Sequence, residues 1–296
     1  MQIGFSERFL YNSSTVNVGA FRLKPWHPEF EQAGKIQEEY LIVFPRTSVF
    51  IQQEGQPIIL ADPNVAMLYN AHQPYRRKKH SERGDLCDYF AFPQEVVLAA
   101  IQDLEPRVRQ DTDTPFPRSH TSVAPDLYLL QRKVVEHLMR FPSDPSLFVE
   151  EASLHILEMT LQQAFPGGSA GHDCRAHTRR IHAEIAHQAR LILNEHYTEP
   201  LTIDELAAEL FVSPFHLCRI FRQETGLTIH AYLEQIRLRV ALEHLLSTNQ
   251  DLTTTALSLG FSSHSHFSHT MRKAFGLPPS RIRALNFTHL SKILTA

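Results

Sequence analysis

Up to about residue 92 the chain alternates short apolar runs with turn residues. The runs fall at 16–21, 40–44, 49–52, 58–60, 65–69 and 87–92, and runs of this length between turn signals read as β-strands. The breaks hold Pro45-Arg46, Glu54-Gly55, Asp62-Pro63-Asn64 and Arg83-Gly84-Asp85, residues that tight turns demand for backbone reasons. Strands at intervals of about ten residues predict an all-β sandwich or small barrel.

From Pro93 the period changes from two to 3.6. Leu127, Leu130, Val134 and Leu138 share one helical stripe, and Leu147, Leu154, Leu157 and Leu161 another, with Pro142-Ser-Asp-Pro145 between them. This predicts an antiparallel helical hairpin over about 125–165. Such a hairpin either packs on its own β domain or offers apolar surface to a second copy of the chain. Residues 166–177, beginning Pro166-Gly-Gly-Ser-Ala-Gly-His, combine a helix stop with three glycines and read as a linker. Beyond it the pattern is helical throughout, with segments at 178–196, 203–210, 214–225, 229–246, 254–260, 264–275 and 279–286. The organisation expected is therefore a β-rich domain with a helical hairpin over 1–165, the linker, and an all-α domain over 178–296.

Two stretches of the helical part look alike. At 202–225, Thr202 with Glu205 makes a capping box, and Ile203, Leu206, Ala207 and Leu210 give the buried stripe of a short helix. Ser213 caps the next helix, Pro214 suits its first turn, and Gly226 suits its left-handed end. Leu217, Ile220 and Phe221 then face inward, which leaves Phe215, His216, Cys218, Arg219 and Arg222 outward. At 254–275, Ala256, Leu257 and Leu259 mark a short helix, Gly260 the turn, and Phe267, Met271 and Phe275 the inward stripe of its successor; His264, Ser265, Ser268, His269 and Arg272 point out. Each pair is a helix-turn-helix, and an exposed helix face of this polarity suits a DNA major groove. The helix at 229–246, with Tyr232, Leu233, Ile236, Val240 and Leu245 inward, reads as a rigid spacer of about 27 Å.

Charge supports this only mildly. The net −3 divides into −5 over residues 1–177 and +2 over 178–296, and residues 251–296 hold five basic side chains against the single acid Asp251. Hydrophobic residues at 43% and charged residues at 21% exclude wholesale disorder. No run approaches the roughly 20 apolar residues of a membrane helix, and the first residues lack a basic segment followed by an apolar one, so a cytoplasmic protein with no membrane partner is expected. Cys87, Cys174 and Cys218 are odd in number and without CxxC spacing, which suggests neither a disulfide framework nor a zinc cluster.

On Leu206-Ala207, Ser213, Leu217, Phe221, Thr225-Gly226, Arg237, Ala241, Leu245, Ala256, Gly260-Phe261, Ser265, Phe267, Phe275-Gly276, Pro279 and Arg283, residues 180–287 resemble the DNA-binding module of the AraC/XylS transcription regulators. Thr255 stands where that family has a large aliphatic residue and Met271 where it has Phe. The resemblance implies that Phe215, Cys218, Arg219, His264, Ser265, Ser268 and His269 face bases and that Arg222 and Arg272 lie near phosphates. It also implies promoter DNA and RNA polymerase as partners, with activation the commoner mode. The strand-rich N-terminal part resembles the cupin-like domain of such regulators, an eight-stranded jelly roll that holds a small-molecule effector, dimerises, or both.

Enzymatic cupins bind metal through a closely spaced His-x-His, a following Glu and a distant His. His27, His72 and His80 show none of that spacing, so no metal, cofactor or catalytic residue is expected. Arg76-Arg-Lys-Lys79 reads as a solvated loop, or as one that meets an acidic effector or the DNA backbone. Two alternatives stay open: a cupin-type metalloenzyme with a DNA-binding tail, and an architectural DNA-binding protein of low specificity.

Overall fold

The structure, a computed structural model, describes residues 5–104, 114–141, 147–165, 176–247 and 250–284. Two compact units divide them, one holding the described residues up to Phe165 and the other those from Ala176 on. The first is β-rich with helices and the second is all helical, the two-domain α+β layout that the residue pattern predicts.

The first unit is built on ten antiparallel strands: β1 (Phe5–Asn12), β2 (Asn17–Leu23), β3 (Ala33–Lys35), β4 (Tyr40–Pro45), β5 (Val49–Gln53), β6 (Ile59–Ala61), β7 (Val65–Tyr69), β8 (Pro74–Lys78), β9 (Asp85–Phe92) and β10 (His120–Ser122). They form a six-stranded sheet in the order β1-β2-β9-β4-β7-β10 and a four-stranded sheet in the order β3-β8-β5-β6. The ten strands among the described residues, against the six apolar runs and the eight strands that the resemblance implies, reflect what the apolar pattern hides. Most of β1 is exposed, β3 and β10 are three residues long, and β8 is the basic run. Such strands are held by ladder bonds to their neighbours, not by their own apolar period.

Period two decides the two faces of the large sheet. On β9, Asp85, Cys87, Tyr89 and Ala91 face the small sheet across a cavity of about 340 Å³, whose walls also include Leu41, Val43, Ile51 and Met67. The alternate residues Asp88, Phe90 and Phe92 are fully buried on the opposite face. There Arg132 Nη1 lies 2.6 Å from Asp88 Oδ2, with Arg46 Nη1 3.8 Å from Oδ1. Two tyrosine rings owe their places to glycines on neighbouring strands. A Cβ on Gly19 would fall 2.3 Å from Tyr89 Cζ, and one on Gly34 2.6 Å from Tyr75 Cζ.

The helices of this unit are α1 (Gln94–Leu104), α2 (Pro125–Arg140) and α3 (Leu147–Ala164). The stripe Leu127, Leu130, Val134 and Leu138 is buried, as its spacing predicts, but so are Gln131, Arg132 and Lys133. On α3 the buried line runs through Val149, Ile156, Leu157 and Leu161, while Leu154 is 40% exposed, which corrects its place in the stripe. The break at 142–145 and Cys174 lie outside the described residues, as does the expected linker over 166–177 except for Ala176 and His177, which begin the first helix of the second unit. Arg76-Arg-Lys-Lys79 is not a loop: its first three residues end β8, and Arg77 is held inside the unit with Nε 3.1 Å from Asp85 Oδ2. An apolar-run search passes over a strand whose inward residue is an arginine.

The second unit comprises α4 (Ala176–Glu195), α5 (Ile203–Glu209), α6 (Pro214–Thr225), α7 (Ile229–Ser247), α8 (Leu252–Ser258), α9 (His264–Phe275) and α10 (Pro279–Ala284). The spacer α7 is buried on nearly every side. Tyr232, Leu233, Ile236, Leu238, Arg239, Ala241, Leu242 and Leu245 are inside, whereas Val240, expected inward, is half-buried. A helix wrapped by its neighbours shows no single apolar stripe. Ile203 and Leu257 are 43% and 57% exposed, so α5 and α8 bury narrower faces than their sequences suggest, Leu206 with Ala207 and Thr255 with Ala256.

Candidate nucleic-acid interface

Each helix-turn-helix is set by its caps. Thr202 accepts a hydrogen bond from the Glu205 N–H at 3.2 Å, and Glu205 Oε2 accepts from the Thr202 N–H at 2.9 Å, the reciprocal box expected. The Thr202 hydroxyl, which donates to Glu205 Oε2 at 2.6 Å, and then the Thr202 N–H hold the Glu205 carboxyl below its ordinary range. Helix α8 starts earlier than its apolar residues suggest. Asp251 Oδ2 accepts from the N–H groups of Thr253 and Thr254 at 2.9 and 3.0 Å, and those bonds likewise lower its pKa. Ser213 and Ser263 cap α6 and α9 by accepting from the N–H groups of His216 and His266. Both α6 and α9 end on a left-handed glycine, Gly226 (φ 75°) and Gly276 (φ 71°).

The two turns close alike. The Val212 N–H donates to the Ala207 carbonyl at 3.0 Å, and the Phe261 N–H to the Ala256 carbonyl at 3.1 Å. Both bonds span six residues, which places the preceding residue in the left-handed region. The second turn meets that demand with Gly260 (φ 79°). The first meets it with Phe211 (φ 55°), whose side chain is 95% exposed. Since Phe211 gains no burial and a side chain in this region costs roughly 1 kcal/mol, Phe211→Gly is expected to stabilise the unit by about 0.5–1 kcal/mol. Urea unfolding would show it as a higher midpoint at unchanged slope; a lower midpoint would refute the strain.

The outer face of α6 presents Arg219 and Arg222, both exposed, and Cys218, half-buried. Arg219 Nη2 lies 3.5 Å from His216 Nδ1. The inner face, Leu217, Ile220 and Phe221, is fully buried. Phe215 belongs to the first turn of α6, and its side chain lies outside the described residues. On α9, His264, Ser265, His269 and Arg272 are exposed and Ser268 is half-buried. Ser268 Oγ stands 3.3 Å from His264 Nε2. These five line one hollow of about 410 Å³, closed by Leu252 of α8 and by Pro278, Pro279 and Ser280 at the start of α10. The structure thus brings the α9 residues together as one concave surface and leaves those of α6 on a separate helix. Sequence reasoning missed Leu252 and Ser280, since the closure of that hollow belongs to the packing of α10.

The two positions where the sequence departs from its family resemblance are both accommodated. Thr255 is fully buried and its Oγ1 donates to the Asp251 carbonyl at 2.9 Å, so its hydroxyl is satisfied inside the helix. Met271 is fully buried in the inward stripe of α9 beside Phe267.

Comparison with known proteins agrees with this geometry. A family model described as a helix-turn-helix domain matches residues 206–284. The regulatory protein SoxS of Escherichia coli K12 is 33% identical over 102 residues, which are 34% of this chain and 95% of SoxS. The transcriptional activator RhaS of Klebsiella pneumoniae is 26% identical over 254 residues, covering 83% of this chain and 84% of RhaS. The bifunctional transcriptional activator and DNA repair enzyme AdaA of Bacillus subtilis is 30% identical over 94 residues, 32% of this chain. The match spans 44% of AdaA, under half of that protein's length. With SoxS matched along nearly its whole length, and with two capped helix-turn-helix units joined by a buried spacer, the chain belongs to the AraC/XylS family of transcription regulators.

Proposed function

We propose that this protein is a sequence-specific, DNA-binding transcription regulator that reads promoter duplex with α6 and α9. The observation that carries the reading is the pairing of each N-capped recognition helix with an exposed face of arginines and short polar side chains. Arg219, Cys218 and Phe215 on α6 and His264, Ser265, Ser268 and His269 on α9 meet base edges; Arg222 and Arg272 meet phosphates. Residues 178–296 form the DNA-binding domain, 166–177 the linker, and 1–165 the domain that senses a small molecule in the cavity between the sheets and joins two copies of the chain. The protein works in the cytoplasm, activates by engaging RNA polymerase, and performs no catalytic step. RhaS, similar over most of its length, is named as an activator, which favours that mode.

Titration of the full chain with duplex DNA from upstream of its own gene tests the reading. Arg219→Ala is expected to cost about 1–3 kcal/mol on the cognate duplex and to relax preference at one base pair. Arg222→Ala is expected to weaken cognate and random duplex equally and to lower the slope of log affinity against log salt by about one. Equal wild-type affinity for promoter and random DNA at physiological salt would overturn the regulatory reading.

A further inference from the structure

The cavity between the two sheets holds polar atoms that the fold itself does not use. Tyr69 is 96% buried, lines the cavity, and its hydroxyl has no hydrogen-bond partner among the described residues. Next to it Tyr75 stands with ring centroid 5.3 Å away, and the Tyr75 hydroxyl accepts from Arg77 Nη2 at 3.0 Å. Arg77 is further held by Asp85 at 3.1 Å and by the Phe21 ring, 4.8 Å from its Cζ. Burial pushes the phenols of Tyr69 and Tyr75 upward, so both stay protonated.

Charge then restricts what can enter. At the buried end Arg77, the one cation there among the described lining residues, is neutralised by Asp85. At the rim exposed Glu7 and half-buried Glu39 outnumber exposed Lys35. A carboxylate would pass a negative rim to reach a cation already paired, and an ammonium would be buried against the Arg77 guanidinium. Either charge would lose its water without an unspent counter-charge. An uncharged oxygen meets no such cost, and between rim and floor Leu41, Val43, Val49, Ile51 and Met67 give an apolar wall. A volume of about 340 Å³ is at the small end for ligand sites.

We propose that this cavity takes a small uncharged molecule with an apolar body and one hydroxyl or carbonyl oxygen, the oxygen lying between the Tyr69 hydroxyl and Arg77 Nη1. The proposal rests on the reading of the N-terminal unit as a sensor and adds the chemical class that it senses.

Probes sharing one ring and differing in charge decide it: cyclohexanol, cyclohexanone, cyclohexanecarboxylate and cyclohexylammonium, each titrated at pH 7 against the full chain by thermal unfolding. The alcohol and ketone raise Tm by about 2 °C or more near saturation, and the two ions leave it unchanged. Tyr69→Phe, which keeps the ring and removes only the hydroxyl, raises the half-saturating concentration of the uncharged probes about fivefold to tenfold. A larger shift from either ion, an equal response in Tyr69→Phe, or no shift from any probe overturns the proposal. Promoter binding by the same preparations without probe is scored separately: an ion preferred by a protein that still binds promoter removes the chemical class and leaves the regulator, and loss of promoter selectivity removes the regulator.

Discussion

Arg132→Ala lowers the stability of the N-terminal unit by about 3 kcal/mol, the expected cost of taking one partner from a buried ion pair. Asp88 sits mid-strand on β9, opposite Ala20 of β2 and Phe44 of β4, and is wholly buried. Its Oδ2 receives Arg132 at 2.6 Å, and Arg46 Nη1 lies 3.8 Å from its Oδ1. Truncating Arg132 leaves a carboxylate in a low-dielectric layer with its closer cation gone. Urea unfolding of the single variant measures the loss. The double variant Asp88→Leu with Arg132→Met should recover much of it, since apolar groups of similar volume carry no desolvation penalty. A single variant within about 0.5 kcal/mol of the parent would show that the pair is dispensable. The site bears on function because β9 carries Asp88 on one face and the cavity residues Cys87 and Tyr89 on the other.

Gly260→Ala is the second large effect, about 2–4 kcal/mol against the helical unit. The position has φ 79°, and a Cβ there would stand 2.7 Å from the Thr198 carbonyl oxygen and 2.9 Å from Arg237 Nη2. Neither neighbour can yield easily. Thr198 presents backbone, and Arg237 is pinned by donating from Nε to the Tyr197 carbonyl at 2.6 Å and from Nη2 to the Glu199 carbonyl at 3.0 Å. The substitution therefore strains the turn before α9 and presses on the tie between α7 and the segment after α4. Thermal unfolding should fall clearly, and promoter affinity should fall with it because the α9 surface depends on that turn. An unchanged melting temperature would disprove the close approach. The first turn gives the contrast, since Phe211 occupies the same conformation with its side chain in solvent.

Much of the helical unit was legible because its signals are local. Caps such as Thr202 and Ser213, the glycine ends Gly226 and Gly276, and the inward stripes Leu217-Ile220-Phe221 and Phe267-Met271-Phe275 act within a few residues of chain. The polar faces of α6 and α9 follow as what those stripes leave over. The same reasoning fails where burial is shared. Val240, on the inward stripe of the sequence pattern, is half-buried while Leu238 and Arg239, off that stripe, are inside, because α7 is wrapped by several helices and its inside is not one stripe. It fails again for Ile203, Leu257 and Leu154, apolar residues at the right spacing whose positions the neighbouring helices do not cover.

In the β unit the chain alone determined which segments are apolar enough to pair, and so the central strands β2, β4, β5, β7 and β9. Tertiary structure decided the rest. Strand β1 is a strand because β2 offers it a free edge, and β8 is one because Asp85 on another strand satisfies Arg77. The cavity, its unused Tyr69 hydroxyl and the hollow that gathers the α9 residues arise from residues far apart in sequence, at separations no local period encodes. Local rules specify a residue's conformation and which way it turns; only packing settles what it meets there.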